Sequence, residues 1–535
     1  MSRIRRICFI PICVLTLFAL SSCTVNEESP RPNILWIDID DQTPWYGTYG
    51  DDLVATPNLD ALADEGVVFE RAYAANPVCG PSRSAFATGY YPIRLGTHDM
   101  RSGRTLGYQI HLPEGIKPIP EMVRNAGYET YNSHKDDYNF TYDRTDLYSF
   151  GNPSAEVLEA AKNDRWGKGL RGTGHWSEVP EGLPLFGQMS IAGGKGVANI
   201  EEELRALGVE PVGPADVRVP AQYPDIPQVR QHIADHYNSI ARTDHQVGEV
   251  IQQLKDDGLW GNTVVILYSD HGSDLPRSKE FVYHEGLHVP LIITGPGFVE
   301  PDRRGDIVNL MDIGATTLAL AGIDVPENMD AKDLFAPDYD REYVYSSADR
   351  MSNVIDRTRS VMGERFHYIR NFMLDRPLFN WGHREMVASM QDPQGETTSF
   401  MAMRRMYEAG ELEGVHAAPY GERVPEELYD LHSDPDEVVN LAGDPEYADQ
   451  LAKMRGLLDA WIEDTDDKGQ YPRSAAALKE VIDRMPPDWL KSPEYATYVG
   501  DTESEPGKAG VADKVEEALA SAKAMTGKKE TGKKE

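Results

Sequence analysis

The chain has 535 residues, 40% apolar and 26% charged, with 87 acidic against 53 basic side chains and a formal charge of −34. This places it among globular proteins, with length for one large domain and a smaller one, and argues against nucleic acid or an anionic membrane as a general partner. A pocket for an anion must then be basic locally, against the field of the whole molecule.

The first 23 residues, MSRIRRICFIPICVLTLFALSSC, set Arg3, Arg5 and Arg6 ahead of an apolar run from Ile7 to Leu20. The run is short for a membrane span and fits an export signal. It ends in Leu20-Ser21-Ser22-Cys23, which resembles a bacterial lipobox. The resemblance implies cleavage before Cys23 and lipid on its sulfur, an anchor on a membrane rather than a span across it. The alternative is a plain signal peptide with a chance cysteine. The expectation is a signal over 1–22, a polar tether over 23–32, and an exported, membrane-anchored lipoprotein on the periplasmic side or cell surface. Export permits disulfides, yet without the signal only Cys23 and Cys79 remain of the four cysteines. With Cys23 lipidated, Cys79 has no partner in the chain. It is either a small buried hydrophobe or a side chain with a task.

Asn33–Asp40 (NILWIDID) reads as a strand buried in a parallel sheet. Pro57–Gly66 reads as a short helix closed by glycine. Pro120–Ala126 reads as helix and Tyr128–Ser133 as strand. Gln228–Leu259 carries a long helical pattern, with Ile233, Ile240, Val247, Val250, Ile251 and Leu254 apolar. Thr263–Asp270 (TVVILYSD) and Val289–Thr294 are further buried strands, and Ile307–Leu320 a further helix. This alternation predicts an α/β sandwich with a large, mostly parallel central sheet flanked by helices over 33–340. Beyond it the texture changes. Tyr343–Ser347 and Arg359–Arg370, the latter a hairpin turning at Gly363, predict antiparallel strands. Residues 423–441 are extended and turn-rich, and Pro445–Ile462 is helical. These form a smaller C-terminal α+β subdomain, 341–502, ahead of a low-complexity tail, 503–535.

Two strands end in chemistry-bearing residues, Asp40-Asp41 and Asp270-His271. In open α/β sheets ligands bind beyond the carboxyl ends of strands. Three carboxylates and an imidazole at one edge suit a divalent cation. The oxygens favour Ca²⁺ or Mg²⁺, and the imidazole leaves Mn²⁺ or Zn²⁺ open. Between these strands in sequence lies Cys79-Gly80-Pro81-Ser82-Arg83. The proline marks a helix start, so Cys79 sits beside a helix N-terminus, a natural anion site, with Arg83 one turn away.

Cys79-Gly80-Pro81-Ser82-Arg83 followed by Thr88-Gly89 resembles the signature of the type I, formylglycine-dependent sulfatases, whose core is Cys-x-Pro-x-Arg. Asp40-Asp41 and Asp270-His271 match that family's two metal pairs, and Glu427–Leu431 with Asp434-Pro435 matches its C-terminal strand. The likeness is closest to bacterial polysaccharide and heparan-type sulfatases of the alkaline-phosphatase-like superfamily. It implies that a formylglycine-generating maturation enzyme oxidises Cys79 to an aldehyde. One hydroxyl of its hydrate attacks the sulfur of a sulfate ester, and the other then expels sulfate and restores the aldehyde. It implies one divalent cation, Ca²⁺ first and Mg²⁺ or Mn²⁺ as alternatives, on Asp40, Asp41, residue 79, Asp270 and His271. It assigns Arg83, Lys135 and Lys279 to the reacting groups. Asp137 stands where the family has a histidine, so His134 substitutes or hydrate proton transfer is arranged differently. Lys195 takes the usual leaving-group histidine's place and would protonate or electrostatically stabilise a departing alkoxide, if its pKa is depressed. His288 stands where many members have arginine. His98, Arg101 and Arg350 are candidates for the substrate pocket. A sulfated glycan, polymeric or oligomeric, is the expected substrate. The alternatives are a formylglycine-dependent phosphodiester or phosphonate hydrolase and a non-catalytic surface protein that binds anionic glycans through an unconverted Cys79.

Overall fold

The structure is a computed structural model that describes residues 31–105, 107–157, 171–380 and 382–496. The expected signal over 1–22, Cys23 and the tail over 503–535 lie outside the described residues. In chain order the strands are β1 (Asn33–Ile39), β2 (Gly66–Tyr73), β3 (Arg104–Thr105), β4 (Tyr108–Gln109), β5 (Glu129–Lys135), β6 (Arg171–Thr173), β7 (Leu185–Ile191), β8 (Thr263–Ser269), β9 (His288–Val289), β10 (Leu291–Thr294), β11 (Asp302–Asn309), β12 (Val344–Ala348), β13 (Thr358–Met362), β14 (Phe366–Asn371) and β15 (Glu426–Asp430).

The main sheet has the order β11-β2-β10-β8-β1-β7-β5-β6, with β9 on β2. β8, β1, β7 and β5 run parallel, as do β2 and β11. β10 and β6 run against their neighbours. β1 and β8 are buried throughout and mostly apolar because helices cover both faces of their centre. On one face Leu35 and Ile37 pack with Ile233, Ile240, Val247 and Leu254 of the long helix Pro227–Asp256. On the other, Trp36 meets Phe86, Phe186 and Tyr268 edge-on at 5.8, 5.1 and 6.1 Å. Its buried indole N–H donates to Thr317 Oγ1 at 2.9 Å, which removes the cost of an unpaired donor. The smaller sheet is antiparallel, β12-β13-β14-β15. Its hairpin turns at Gly363 as expected, and Leu451, Met454, Leu458 and Trp461 of the helix Ala448–Asp464 pack beside it.

Three expectations need correction. Val289–Thr294 is two strands, because Pro290 has no N–H for a ladder. Ile307–Leu320 is not one helix: Ile307–Asn309 complete β11 by pairing with β2, and the helix begins only at Asp312. Local pattern does not separate the two because both bury the same apolar residues. β2 and β7 were not anticipated. Neither GVVFERAY nor LFGQMSI alternates cleanly, and sheet neighbours supply what pattern lacks.

Candidate active site

β1 and β8 run side by side in register, Ile39 against Ser269, so Asp40 and Asp270 leave the sheet together. The Asp270 amide donates to Ile39 O at 3.0 Å, and the Asp41 amide to Asp270 Oδ1 at 3.2 Å. Asp41 turns out of the strand with a φ of 59°. The helix Cys79–Thr88 points its N-terminus at this edge, is buried along its whole length, and closes at Gly89 with a φ of 78°. Cys79 is itself the first helical residue. Pro81 falls in the first turn, where backbone N–H groups have no helical acceptor. Gly80 is required by close packing: a Cβ there would stand 2.5 Å from Asn139 Oδ1. Asn139 in turn donates to Thr97 O and Asp99 O at 2.9 and 2.7 Å, pinning the loop beyond the helix.

Arg83 is fully buried and clamps three carboxylates. It pairs with Asp38, with Asp40 Oδ1 at 2.7 Å and with Asp270 Oδ2 at 2.9 Å. Asp38 was missed by sequence analysis. A lone carboxylate inside an apolar strand demands a buried cation, and that demand was the available signal. Lys135, at the end of β5, reaches Asp40 Oδ1 at 2.8 Å, and Lys279 reaches Asp41 Oδ2 at 2.6 Å. Lys195 follows β7 on a glycine loop. Its Nζ stands 3.0 Å from Asp40 Oδ1, 3.2 Å from Asp41 Oδ1 and 3.6 Å from Cys79 Sγ. Gly193 makes this approach possible: with a φ of 55°, its Cβ would fall 1.9 Å from Asp40 O. His271 Nε2 lies 3.3 Å from Cys79 Sγ and 3.2 Å from Asp41 Oδ1, while its Nδ1 bonds Gly272 O at 2.9 Å.

Burial alone pushes the Cys79 thiol up, but Lys135, Lys195, Lys279 and His271 outweigh it and hold the thiol well below its usual range. Burial pulls the His271 imidazole down, and Asp270, Asp41 and Cys79 overcome this to push it up to about 10. Burial is the main cause that pushes Asp270 up to about 6 and Asp38 to about 7. Lys195 is held well above the usual lysine range: burial pulls it down, and Asp40 and Asp41 more than offset that. The depressed pKa that an acid role for Lys195 requires is therefore not met.

The family's sequence profile, Sulfatase, matches residues 32–172 and 196–323. The chain belongs to the sulfatase family. An Ulvan-active sulfatase of Formosa agariphila is 31% identical over 479 residues, 85% of this chain and 78% of the relative. The N-sulphoglucosamine sulphohydrolase of Homo sapiens is 25% identical over 506 residues, 86% and 95% of the two chains. A solved 2-O GAG sulfatase shares the fold, with a TM-score of 0.56 at 22% identity over 84% of this chain and 96% of that one. This sulfatase is thus a sulfuric ester hydrolase with a mixed α/β, alkaline-phosphatase-like fold.

The sulfatase's strand ends also fit a cation. Ligand atoms of Asp41, Cys79, Asp270 and His271 lie within 4.8 Å of one another, all buried. Asp41 Oδ1 is buried without a hydrogen-bond partner among the described residues. The Nδ1 contact to a carbonyl leaves His271 Nε2 facing the cluster, as metal-ligating histidines are usually held.

Not every expected residue arrives at this edge. His288 bonds Glu70 O at 2.9 Å and packs against Tyr73 and His284, in a separate cavity that includes Trp45 and Tyr237. It does not face Cys79, because β9 carries it to the β2 side of the sheet. His134 is exposed, with Nδ1 3.1 Å from Ser133 Oγ, so it does not replace the missing histidine. Asp137 instead pairs with Arg104 at 2.9 Å and Lys135 at 3.5 Å. His98 is buried beside Asp99 and does not line the Cys79 pocket. Arg350 is buried as well. Its amide bonds Asp99 Oδ1 at 3.0 Å and its Nε stands 3.6 Å from Asp99 Oδ2, so it holds a loop. Arg101 does line the pocket, together with Ser352, Arg384 and Arg484, which sequence analysis did not single out. Sites so far apart in the chain leave no local pattern.

Proposed function

We propose that this sulfatase removes sulfate from a sulfated glycan, polymeric or oligomeric, using a formylglycine made from Cys79 by a maturation enzyme and one divalent cation. One observation carries this: the only cysteine among the described residues opens a buried helix at a point where two strand ends and three lysines converge. Asp41, Asp270, His271 and residue 79 would hold the cation, with Asp40 tied to Arg83, Lys135 and Lys195. Ca²⁺ fits the carboxylate-rich set best, with Mg²⁺ and Mn²⁺ as the alternatives. Together the cation and the aldehyde hydrate supply a nucleophilic hydroxyl of lowered pKa and a second hydroxyl whose deprotonation expels sulfate.

The chain's own residues set the geometry. Arg83 is saturated by Asp38, Asp40 and Asp270, so it fixes these carboxylates and orients Cys79 through the shared helix. Lys135, Lys195 and Lys279 surround residue 79 with ammonium groups that neutralise the sulfuryl oxygens as charge develops. Lys195 stays protonated beside Asp40 and Asp41, and it stabilises the departing alkoxide as a charge rather than by giving up its proton. The names of the relatives, active on ulvan, sulphoglucosamine and iduronate sulfate, support a glycan substrate. The leader and Cys23 support export and lipid anchoring at the periplasmic side or cell surface.

The test is desulfation of defined sulfated oligosaccharides by protein from its native host, paired with the mass of the peptide around Cys79. Conversion of Cys79 to the aldehyde, with sulfate release lost in Cys79→Ala, is expected. An intact thiol in protein that still releases sulfate would sink the proposed nucleophile.

A further inference from the structure

The pocket that opens onto Cys79 is basic out of proportion to the chain. Its lining contributes five cations, Lys195, Lys279, Arg101, Arg384 and Arg484, against two carboxylates, Asp274 and Glu280. Most of that charge has an internal partner. Lys195 and Lys279 face Asp40 and Asp41, and Arg384 pairs with Asp274 at 2.8 Å. Arg101 and Arg484 are left. Arg101 makes no ion pair among the described residues, and its Nε is buried without a hydrogen-bond partner. Asp137, whose carboxylate feels Arg101, is already held by Arg104 at 2.9 Å and Lys135 at 3.5 Å. Arg484 donates to Arg101 O at 2.7 Å and to Glu480 O at 3.1 Å and, among the described residues, has only the Glu480 carboxylate, at 4.0 Å, as counter-ion.

Backbone strain points to the same place. Nine non-glycine residues among those described have positive φ, and four of them, Asp41, Arg101, Glu280 and Ser352, belong to the cluster or line this pocket. Arg101 itself has a φ of 48°. Such conformations persist where surrounding structure enforces them, and they gather at ligand sites. A strained arginine with a buried, unpaired N–H in a catalytic pocket is positioned for a ligand it does not find within the chain.

Resting on the sulfatase reading of this pocket, we infer that Arg101 and Arg484 form a subsite for a second anionic group on the substrate. That group is a carboxylate or a further sulfate, borne by the sugar that carries the scissile ester or by its neighbour. A guanidinium takes either through paired N–H···O bonds. The subsite makes the enzyme select doubly anionic saccharides over singly sulfated neutral ones.

The test uses the full-length matured enzyme and four substrates: 4-nitrophenyl sulfate, a monosulfated neutral disaccharide, a monosulfated disaccharide containing a uronate, and a disulfated neutral disaccharide. The wild type is expected to prefer one of the last two. In Arg101→Ala, the ratio of kcat/KM for that substrate to kcat/KM for 4-nitrophenyl sulfate is expected to fall about 10- to 100-fold, mainly through KM. Arg101→Lys should recover part of the loss, since it restores charge without the fork. The disaccharide that responds tells carboxylate from sulfate. Arg484→Gln gives an independent reading, with thermal unfolding of each variant as the check on folding. The inference is overturned if the wild type shows no preference for a second anion, or if the ratio is unchanged in both variants. If the wild type cleaves none of the four, the sulfatase reading itself falls, and this inference with it.

Discussion

Arg83 and Arg359 are both fully buried in this sulfatase, each between carboxylates, and they do different things. Arg359, on β13, gives all its N–H groups to Asp349, Asp467 and Thr358 O, at 2.7 to 3.1 Å. Asp467 also accepts the Gly469 amide at 2.9 Å. Asp467 also pairs with Arg357 at 3.0 Å, and no thiol or metal-capable cluster adjoins this network among the described residues. Arg83 is equally saturated, but its carboxylates continue outward to Lys135 and Lys195, and beside them stand the Cys79 thiol and Asp41 Oδ1, 3.2 Å from both Lys195 and His271. The two clusters differ in titration as well. Burial raises the Asp467 carboxyl, yet Arg359 prevails and holds it down at about 2. At the strand ends the carboxylates split: burial pushes Asp270 up to about 6, while Lys135, Lys195 and Lys279 outweigh burial and hold Asp40 and Asp41 well below the usual range. The Arg359 network stabilises the fold, and the Arg83 network stores charge for a ligand. Burial and ion-pair distance do not tell them apart; the thiol and the metal-capable ligand cluster beside one of them do.

The comparison can be broken in four ways. The largest effect is expected from Cys79→Ala, which should lower sulfatase turnover about 10⁵- to 10⁶-fold, as loss of a nucleophile does elsewhere, with little change in urea unfolding. A comparable loss of stability would mean that Cys79 is a packing residue. Arg359→Met should do the reverse. It removes the arginine that pairs with both Asp349 and Asp467 and leaves Asp467 with Arg357 alone, at a cost of about 3–5 kcal/mol in unfolding, with turnover per folded molecule retained.

Third, chelation should abolish turnover and lower stability by about 3 kcal/mol, if the cation had been present at a hundredfold its Kd. Thermal unfolding with Ca²⁺, Mg²⁺ and Mn²⁺ restored one at a time ranks the ions. Binding must displace protons, because His271 is pushed up to about 10 and Asp270 to about 6. Cation affinity should therefore rise from pH 6 to 8 with proton release, visible as calorimetric heats that change with buffer ionisation enthalpy. Heats independent of buffer would rule out these ligands.

The smallest effect concerns acid. Asp467 has a folded pKa below its unfolded value, so its stabilisation is complete above about pH 4 and is lost as pH falls through about 2. Stability should drop over that window in the wild type. In Arg359→Met the slope should shrink by up to about 1.4 kcal/mol per pH unit. An unchanged slope would show that the Arg359 network does not set acid stability.

Much of the active edge was legible beforehand. The apolar runs of β1 and β8, each ending in acidic or imidazole side chains, mark strand ends in a parallel sheet. Cys79-Gly80-Pro81 marks a helix start two residues late, since the helix opens at Cys79 and not at Pro81. Asp38 was hidden because a single carboxylate does not interrupt the apolar pattern of Asn33–Ile39. His288 was misplaced because position along the chain cannot say which face of the edge β9 reaches, and Pro290 turns that segment onto β2. The pocket-facing role expected of Arg350 belongs to Ser352, Arg384 and Arg484, brought in by segments more than 250 residues after the helix.

Sequence by itself determined the family motif at Cys79 and the two strand tips that meet it. Hydrophobic periodicity and helix-start chemistry act over a few residues, and the motifs lie within that range. Only the tertiary structure decided which cations remain without internal partners, and so where Arg101 and Arg484 stand. Neutralisation depends on distances of 3 to 4 Å between side chains far apart in the chain, which no local pattern encodes.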